Sequence, residues 1–312
     1  MPEVIMIVGY HASGKTSKAQ EFIDQGYVHV NRDKAGGKII ELVEPMAEHL
    51  KAGKSVVLDN TFPTVDGRSP FIAMATSLGV KVRCFLMMTT IEEAQFNFCR
   101  RMVQKFGKCL LPEEVNKTKS PNIFPPAAMF GYRKRYEAPS LDEGFESIEK
   151  VPYVRVLGPE YVNKAIILDY DGTLRTSSGQ FKYPADANDV VLIDGASRGR
   201  TLVGCQSNGY MLLGVSNQSG VAKGVVTDAG VDAAFKKTNE MLGLDIEYLY
   251  DATRIPPMVS WGRKPMPGLG VVFIEKYKLD PAQCIMVGDQ TSDKTFAKRC
   301  GFQFEHADKF FD

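Results

Sequence analysis

Val4-Ile5-Met6-Ile7-Val8-Gly9-Tyr10-His11-Ala12-Ser13-Gly14-Lys15-Thr16 is the stretch on which the fold turns. The apolar run Val4 to Val8 predicts a buried parallel strand, and Ala19, Phe22 and Ile23 fall on one face of a helix beyond the turn. A strand, a Gly-rich loop and a helix in that order are the context in which Gly9-x-x-x-x-Gly14-Lys15-Thr16 reads as a phosphate cradle. The glycines let the backbone curl until several N–H groups and the helix N-terminus face the phosphates of a nucleotide. Gly9, Ser13, Gly14, Lys15 and Thr16 are therefore the expected ATP-binding residues, with Lys15 stabilising transferring charge and Thr16 helping to hold Mg2+. His11 reads as a loop residue without chemistry.

Further along, Ile39, Leu42, Val43, Met46, Ala47 and Leu50 recur at three-and-four spacing and predict a helix before the strand Val56-Val57-Leu58. A strand over 80–88 then meets Thr90-Ile91-Glu92-Glu93, a capping box that starts another helix. Residues 100–135 change character: nine Lys or Arg stand against two acidic residues, and Pro121, Pro125 and Pro126 interrupt the middle, so the stretch reads as a basic, irregular lid. The pattern pauses at Leu157-Gly158-Pro159-Glu160, and a new strand, Ala165-Ile166-Ile167-Leu168, begins. Further strands near 210–215, 246–250 and 284–287 alternate with helices. The predicted fold is α/β, with two doubly wound parallel-sheet domains covering 1–158 and 159–312. At 312 residues and 44% hydrophobic composition the chain has enough apolar surface for two cores.

Composition narrows the function classes. The 38 basic and 37 acidic residues nearly cancel, which excludes a chain that grips nucleic acid through net charge, so any polyanion site is local. Cys84, Cys99, Cys109, Cys205, Cys284 and Cys300 lie far apart without zinc or disulfide spacing, which points to a reducing cytosol. The first apolar run passes straight into Gly9 without a leader pattern, and no run is long enough to span a bilayer. The expectation is no membrane partner and a cytoplasmic location, or a nuclear one in a eukaryote.

A kinase needs a group to take the proton from its acceptor hydroxyl. Asp33, after the apolar strand Tyr27-Val28-His29-Val30, is the candidate. Asp59 ends the strand Val56-Val57-Leu58, where a carboxylate faces the crevice and can serve Mg2+ or the acceptor. A solvated turn carboxylate is the alternative for each. The runs Tyr27 to Asp33, Leu58-Asp59-Asn60-Thr61, Arg83-Cys84-Phe85-Leu86 and Gly131 to Pro139 closely resemble the 5′-hydroxyl polynucleotide kinase domain of animal-type polynucleotide kinase/phosphatases, over nearly all of residues 1–155. The resemblance implies Asp33 as general base and, through Asn97-x-x-Arg100, Arg100 as the lid arginine that clamps the ATP phosphates. Phage-type relatives carry an arginine three residues after the base, where this chain has Gly36.

The second half holds four stations, each ending a strand or opening a loop: Asp169-Tyr170-Asp171-Gly172-Thr173, Ser216-Asn217-Gln218, Lys264, and Gly288-Asp289 with Asp293. Their order resembles the haloacid dehalogenase phosphatases over residues 164–312. Asp169 is then the nucleophile, Asp171 the acid and base, Ser216 and Lys264 the groups that hold phosphate oxygens, and Asp169, Asp171, Asp289 and Asp293 the expected Mg2+ ligands. Zinc-holding members of that group carry Cys and His before the lysine, but residues 251–263 contain neither, so no structural zinc is expected. The single tryptophan, Trp261, falls in this segment and reads either as core or as a surface for a nucleobase.

Kinase and phosphatase together read as end repair of DNA or RNA, with ATP phosphorylating a 5′-OH end and a Mg2+-dependent step removing a 3′-phosphate. A metabolic enzyme acting on small phosphate esters and an inert, nucleotide-switched binding module stay open as alternatives.

Overall fold

The computed structural model describes residues 1–118, 120–254 and 259–312. It contains two compact units, Met1–Asn97 with Ala127–Arg155, and Phe98–Pro126 with Val156–Asp312. In chain order the first runs β1 (Glu3–Val8), α1 (Lys15–Ile23), β2 (Val28–Val30), α2 (Arg32–Ala35), a 3-10 turn (Ile39–Leu42), α3 (Val43–Lys51), β3 (Val56–Asp59), α4 (Val65–Ser77), β4 (Lys81–Met87), the start of α5 (Ile91–Phe106), α7 (Ala127–Arg135) and β5 (Ser147–Val151), with α6 (Pro112–Lys117) in the other unit. The five strands are all parallel in the order β2-β3-β1-β4-β5. Successive residues of β1 point to opposite faces, so Val4, Met6 and Val8 pack with Met46, Leu50 and Phe71, while Ile5 and Ile7 meet Ala19 and Phe22 of α1. Both faces are covered, which is why β1 is apolar at every position rather than at alternate ones.

The second unit holds α6, then β6 (Ala165–Leu168), the hairpin strands β7 (Arg175–Ser177) and β8 (Val190–Leu192), α8 (Gly195–Ser207), β9 (Met211–Asn217), α9 (Ser219–Ala222), α10 (Asp228–Leu242), β10 (Glu247–Asp251), α11 (Gly268–Tyr277), β11 (Ile285–Gly288), α12 (Thr291–Cys300), β12 (Gln303–His306) and α13 (Ala307–Phe311). Its main sheet is also five-stranded and parallel, ordered β10-β9-β6-β11-β12, with β7 and β8 pairing antiparallel beside it. The α/β reading of both halves therefore stands. In each unit the first strand lies inside the sheet, flanked on one side by a later strand and on the other by a still later one. That is the topological switch point, where loops at the strand C-termini open a crevice.

The segment 98–126, read from sequence as part of the first domain, clusters with the second unit. Aromatic packing accounts for this: the Phe98 ring stacks on Trp261 at 4.4 Å and 28°, and meets Phe124 at 4.5 Å. Trp261 is 1% exposed and donates Nε1–H to the Phe124 carbonyl at 2.8 Å, so its faces and its polar edge are committed to the core and it presents no surface to a base.

Candidate active sites

In the first unit the parallel register sets the cradle. Ile7 of β1 lies opposite Asp59 of β3, so the loop after β1 emerges beside a carboxylate. Gly9 opens that loop where a Cβ would come within 2.8 Å of both Met87 Cβ and Ser13 Oγ, so no larger residue fits. Lys15 is 8% exposed, and its ammonium donates to the Tyr10 carbonyl at 2.7 Å, curled over the loop it follows. Thr16 Oγ1 donates to Asp59 Oδ2 at 2.8 Å, and His29 Nε2 stands 3.5 Å from the same oxygen. Burial alone would raise the Asp59 carboxyl, but the His29 imidazole beside it, the Thr16 hydrogen bond and the charge of Lys15 hold it below the usual range. The cradle is braced by Asn97, which donates to the Ala12 carbonyl at 3.0 Å, and by Thr89, which donates to that of Ser13 at 3.0 Å.

Asp33 lies on the short helix α2, whose N-cap Asn31 accepts from the Asp33 N–H at 2.8 Å and donates its amide to the Asp59 carbonyl. Asn60 Oδ1 accepts from the Arg32 N–H at 3.1 Å, so the last residue of β3 and the one after it help to anchor the helix that carries Asp33. The Asp33 carboxylate is about one-third exposed and pairs with Arg32 at 3.0 Å. Tyr132 of α7 packs its ring 4.6 Å from Tyr10 and 6.2 Å from His11. His11 is held low, at about 4, first by burial and then by Lys15, Arg32 and Arg135, with Asp33 opposing. These couplings bring Lys15, Arg32, Asp33 and Arg135 into one electrostatic neighbourhood around the loop. Arg100, to which the resemblance assigns the phosphate clamp, falls in the second unit, where Nε pairs with Glu275 at 2.8 Å and a second nitrogen donates to the Val156 carbonyl at 2.8 Å. Its guanidinium is engaged there, because Glu275 on α11 offers a carboxylate that is largely buried and itself in need of a cation.

The second unit gathers its stations by the same register logic. Leu168 ends β6 opposite Gly214 of β9 and Val287 of β11, which puts Asp169 just past the strand, between Ser216 on one side and Asp289 on the other. Gly172 follows at φ 95°, and a Cβ there would come within 2.5 Å of Asp289 Oδ2, so only glycine lets the two loops touch. Lys264 Nζ lies 2.5 Å from Asp169 Oδ1 and 2.8 Å from Asp293 Oδ1. Its backbone is fixed by reciprocal 2.9 Å bonds with the Asn217 side chain. Asp169, Asp171, Ser216, Asn217, Lys264, Gln290, Ser292 and Asp293 line a cavity of about 60 Å³, which admits the end of a substrate rather than the whole of one.

Asp169, Asp289 and Asp293 bring one carboxylate oxygen each within 4.8 Å of the others, the one such convergence of acidic, His or Cys groups among the described residues. Against these three carboxylates stands the ammonium of Lys264, so the set when fully ionised carries two negative charges in excess. Burial pushes the Asp169 carboxyl up, with Lys264 opposing and Asp293 adding to the rise, and burial with Asp293 does the same to Asp289. Asp289 Oδ1 is buried without a hydrogen-bond partner. A hard divalent cation fits this set: oxygen donors, an orphaned acceptor and a charge deficit that it cancels. Asp171, expected among the ligands, is instead held apart by Arg175 Nε at 2.8 Å and Gln218 Nε2 at 2.6 Å, because a buried guanidinium claims its carboxylate first.

Gln218 and Arg175 carry no role in the sequence reading. Gln218 is legible as the third residue of Ser216-Asn217-Gln218, whereas Arg175 follows Leu174 with no spacing to single it out. Part of the segment read for zinc ligands, residues 255–258, lies outside the described residues, as does Lys119 of the basic lid.

Known proteins sharpen the picture. Residues 4–118 match the AAA domain family and residues 164–311 the polynucleotide kinase 3 phosphatase family. A bifunctional polynucleotide phosphatase/kinase of Schizosaccharomyces pombe is 31% identical over 152 residues, 48% of this chain, and the chain spans only 34% of that protein's length. A D-glycero-beta-D-manno-heptose-1,7-bisphosphate 7-phosphatase of Haemophilus ducreyi is 32% identical over 148 residues, 44% of this chain and 79% of that one. A solved D,D-heptose 1,7-bisphosphate phosphatase from B. bronchiseptica, complexed with magnesium and phosphate, aligns at 25% identity over 45% of this chain and 78% of that one, with a TM-score of 0.40. No helix among the described residues is long and apolar enough to cross a membrane. With a phosphate cradle after β1 and a carboxylate site after β6, the chain has a kinase and phosphatase architecture, its first half matching the AAA domain family and its second half the polynucleotide kinase 3 phosphatase family.

Proposed function

We propose that the chain heals nucleic-acid ends, phosphorylating 5′-OH termini of DNA or RNA from ATP and removing 3′-phosphates. The observation that carries this reading is the pairing, in one chain, of a P-loop cradle with a phosphatase half that matches the polynucleotide kinase 3 phosphatase family. In the first unit the loop N–H groups and Lys15 hold the β- and γ-phosphates, and Thr16 with Asp59 would hold Mg2+, which supplies charge neutralisation for those phosphates. Asp33 takes the proton from the acceptor hydroxyl as its oxygen bonds to the γ-phosphorus, and ADP departs.

In the second unit Asp169 attacks phosphorus, and the bond from phosphorus to the leaving oxygen breaks. Asp171 gives that oxygen a proton, then takes one from the water that hydrolyses the aspartyl-phosphate, so inorganic phosphate leaves and both carboxyl groups return to their starting forms. Ser216 donates to a phosphate oxygen, and Lys264 neutralises another once phosphate draws it from its carboxylate partners. Mg2+ held by Asp169, Asp289 and Asp293 would supply charge neutralisation for the phosphoryl oxygens.

Incubation with Mg·ATP and an oligonucleotide bearing 5′-OH and 3′-phosphate, both ends read by mass spectrometry, tests the reading. Gain of one phosphate at the 5′ end and loss of one at the 3′ end is expected. Heptose-phosphatase relatives support a second reading, a small sugar phosphate as phosphatase substrate. Fast hydrolysis of such esters with both oligonucleotide ends untouched would establish that one instead.

A further inference from the structure

Asp171 serves both halves of the phosphatase reaction, and its surroundings say how. Oδ1 accepts from Arg175 Nε at 2.8 Å, and Oδ2 accepts from Gln218 Nε2 at 2.6 Å, an amide that also reaches Ser216 Oγ at 2.9 Å. Arg175 is 1% exposed although its partner carboxylate is 18% exposed. Its NH1 donates to Thr238 Oγ1 at 3.1 Å, and that hydroxyl donates in turn to the Ala234 carbonyl at 2.7 Å. The guanidinium carbon lies 4.4 Å from the Phe235 ring centre and 5.2 Å from that of Tyr170. Thr238 and Phe235 belong to α10, so a helix of the unit's core fixes the guanidinium, which in turn fixes the acid.

Stability alone is a poor reason for this arrangement. Burying a guanidinium costs several kcal/mol of solvation, and ion pairs of this kind are often matched by apolar groups of equal volume. The apolar surface that Phe235 and Tyr170 form together, their rings in edge contact at 4.4 Å, would accept a methionine. A guanidinium supplies what methionine cannot, a fork that only donates. An oxygen facing such a donor cannot carry a proton toward it, so Oδ1 stays an acceptor throughout. The proton that Asp171 gives and takes must then ride on Oδ2, which faces Gln218 and the Ser216 side of the cavity. An amide offers a donor and an acceptor, and can face Oδ2 in either state.

We propose that Arg175 is a positioning residue that locks the Asp171 carboxylate and selects Oδ2 as its proton-carrying oxygen. The proposal rests on the reading of Asp171 as the general acid and base. In the first step the Oδ2 proton passes to the leaving oxygen as its bond to phosphorus breaks. In the second, a proton of the attacking water passes to Oδ2 as the water oxygen bonds to phosphorus and the bond from phosphorus to the Asp169 oxygen breaks, freeing inorganic phosphate and the Asp169 carboxylate.

The test uses the full chain with Mg2+ and two esters. p-Nitrophenyl phosphate releases an aryloxide that departs without a proton, whereas glycerol 2-phosphate releases an alkoxide that needs one. Rapid mixing reads the first release of p-nitrophenolate, and phosphate release reads the alkyl ester. Arg175→Met should leave the p-nitrophenolate burst within a few-fold of wild type and slow both the alkyl ester and turnover after the burst by about 10²-fold. Arg175→Lys should recover part of that loss. Thr238→Val, which removes the outer anchor, should shift the two esters apart in the same direction but less, and carries the test if Arg175→Met fails to fold. Equal slowing of both esters, or none, in Arg175→Met and Thr238→Val overturns the proposal. Asp171→Asn tells its failure from that of the underlying reading. If Asp171→Asn slows both esters alike, the acid and base assignment falls and the positioning role falls with it. If Asp171→Asn separates the esters and the arginine variants do not, only the positioning role falls.

Discussion

The two units solve the problem of holding phosphate with opposite electrostatics on the same scaffold. Each places its site after the first strand of a five-stranded parallel sheet, at the switch point of strand order. After β1 the site is built from backbone: Gly9 and Gly14 curl the loop, Lys15 is the side-chain cation of the motif, and the nearby carboxylate, Asp59, is held in its charged form. After β6 the site is built from side chains: three carboxylates converge around one ammonium, and burial lifts two of those carboxyls. A transferase needs its protein to stabilise a charge that passes through. A phosphatase that attacks with its own carboxylate must keep an anion beside an anionic substrate, and the charge deficit is the mark of a site completed by a cation. Fold therefore says little about the direction of phosphoryl flow, and the loop after the first strand says most of it.

The comparison predicts that the sites fail separately, and this is the largest effect. On the end-healing reading, Lys15→Ala should lower 5′ phosphorylation by roughly 10³-fold or more and leave phosphate release untouched. Asp33→Asn should do the same while still binding ATP, because on that reading it removes the base and not the cradle. Asp169→Asn should abolish phosphate release, since on the proposed mechanism it removes the nucleophile that forms the covalent intermediate, and spare phosphorylation. Loss of both activities in a folded Asp169→Asn protein would break the picture of two independent centres.

Charge balance sharpens the contrast. Lys264→Met leaves the buried Asp169 and Asp293 carboxylates facing one another without their ammonium, which should destabilise the second unit by about 3–5 kcal/mol. Lys15→Met should cost less, because its ammonium donates to a carbonyl and acts on the Asp59 carboxylate only through charge. Mg2+ should raise the melting temperature of the second unit in wild type by mass action, and more so in Lys264→Met, where the deficit is greater. Calorimetry with and without chelator measures both. An Mg2+ response that Asp289→Asn leaves unchanged would remove Asp289 from the cation set.

How far the sequence can be read differs between the units for a physical reason. Buried parallel strands and helix starts are local, so β1, β3, β6, β9 and β11 are visible as apolar runs, and the Thr90 capping box appears with both of its bonds, at 2.7 and 3.3 Å. Motif residues that chemistry demands at fixed spacing are legible too, since Thr16 and Asp59, and Asp169, Lys264 and Asp293, do meet. What escapes depends on distant partners. Arg100 stands in the expected pattern but finds Glu275, 175 residues on, and Trp261 finds Phe98 and Phe124. Arg175 escapes because its meaning lies in Thr238 and Phe235, which nothing in its own neighbourhood announces.

A smaller effect separates the units in acid. The His11 imidazole is depressed to about 4 from an ordinary 6.5, so the folded loop keeps it neutral where the unfolded chain takes a proton. Stability from this source is whole above pH 6.5 and is lost as pH falls toward 4, by up to about 3 kcal/mol before the screening of a partly open loop is allowed for. His11→Gln should flatten that part of the acid limb for the first unit alone. Identical acid limbs in wild type and variant would show that the imidazole is not what the loop excludes.

The smallest effect concerns the basic stretch, whose α7 part lies in the kinase unit and presents Arg133 and Lys134 to solvent. On the end-healing reading these side chains meet phosphates of the strand rather than the nucleotide, because Tyr132 of the same helix already packs on Tyr10 of the cradle and fixes which face of α7 turns inward. Tyr132 and Arg133 are adjacent in the helix and so point about 100° apart, and Arg133 lies over Phe130 at 5.2 Å. A phosphate interaction of this exposed kind works through release of counterions, so its energy is modest and salt-dependent. Arg133→Ala or Lys134→Ala should each weaken oligonucleotide use by about three- to tenfold at low salt and reduce the slope of log affinity against log salt by about 0.7. The KM for ATP should not change. Weaker binding with an unaltered salt slope would mean that the substitution disturbed the helix and left the phosphate pairing as it was. An unaltered affinity at every salt concentration would leave these residues as a solvated charged face, and the strand would have to be held by other residues of the unit.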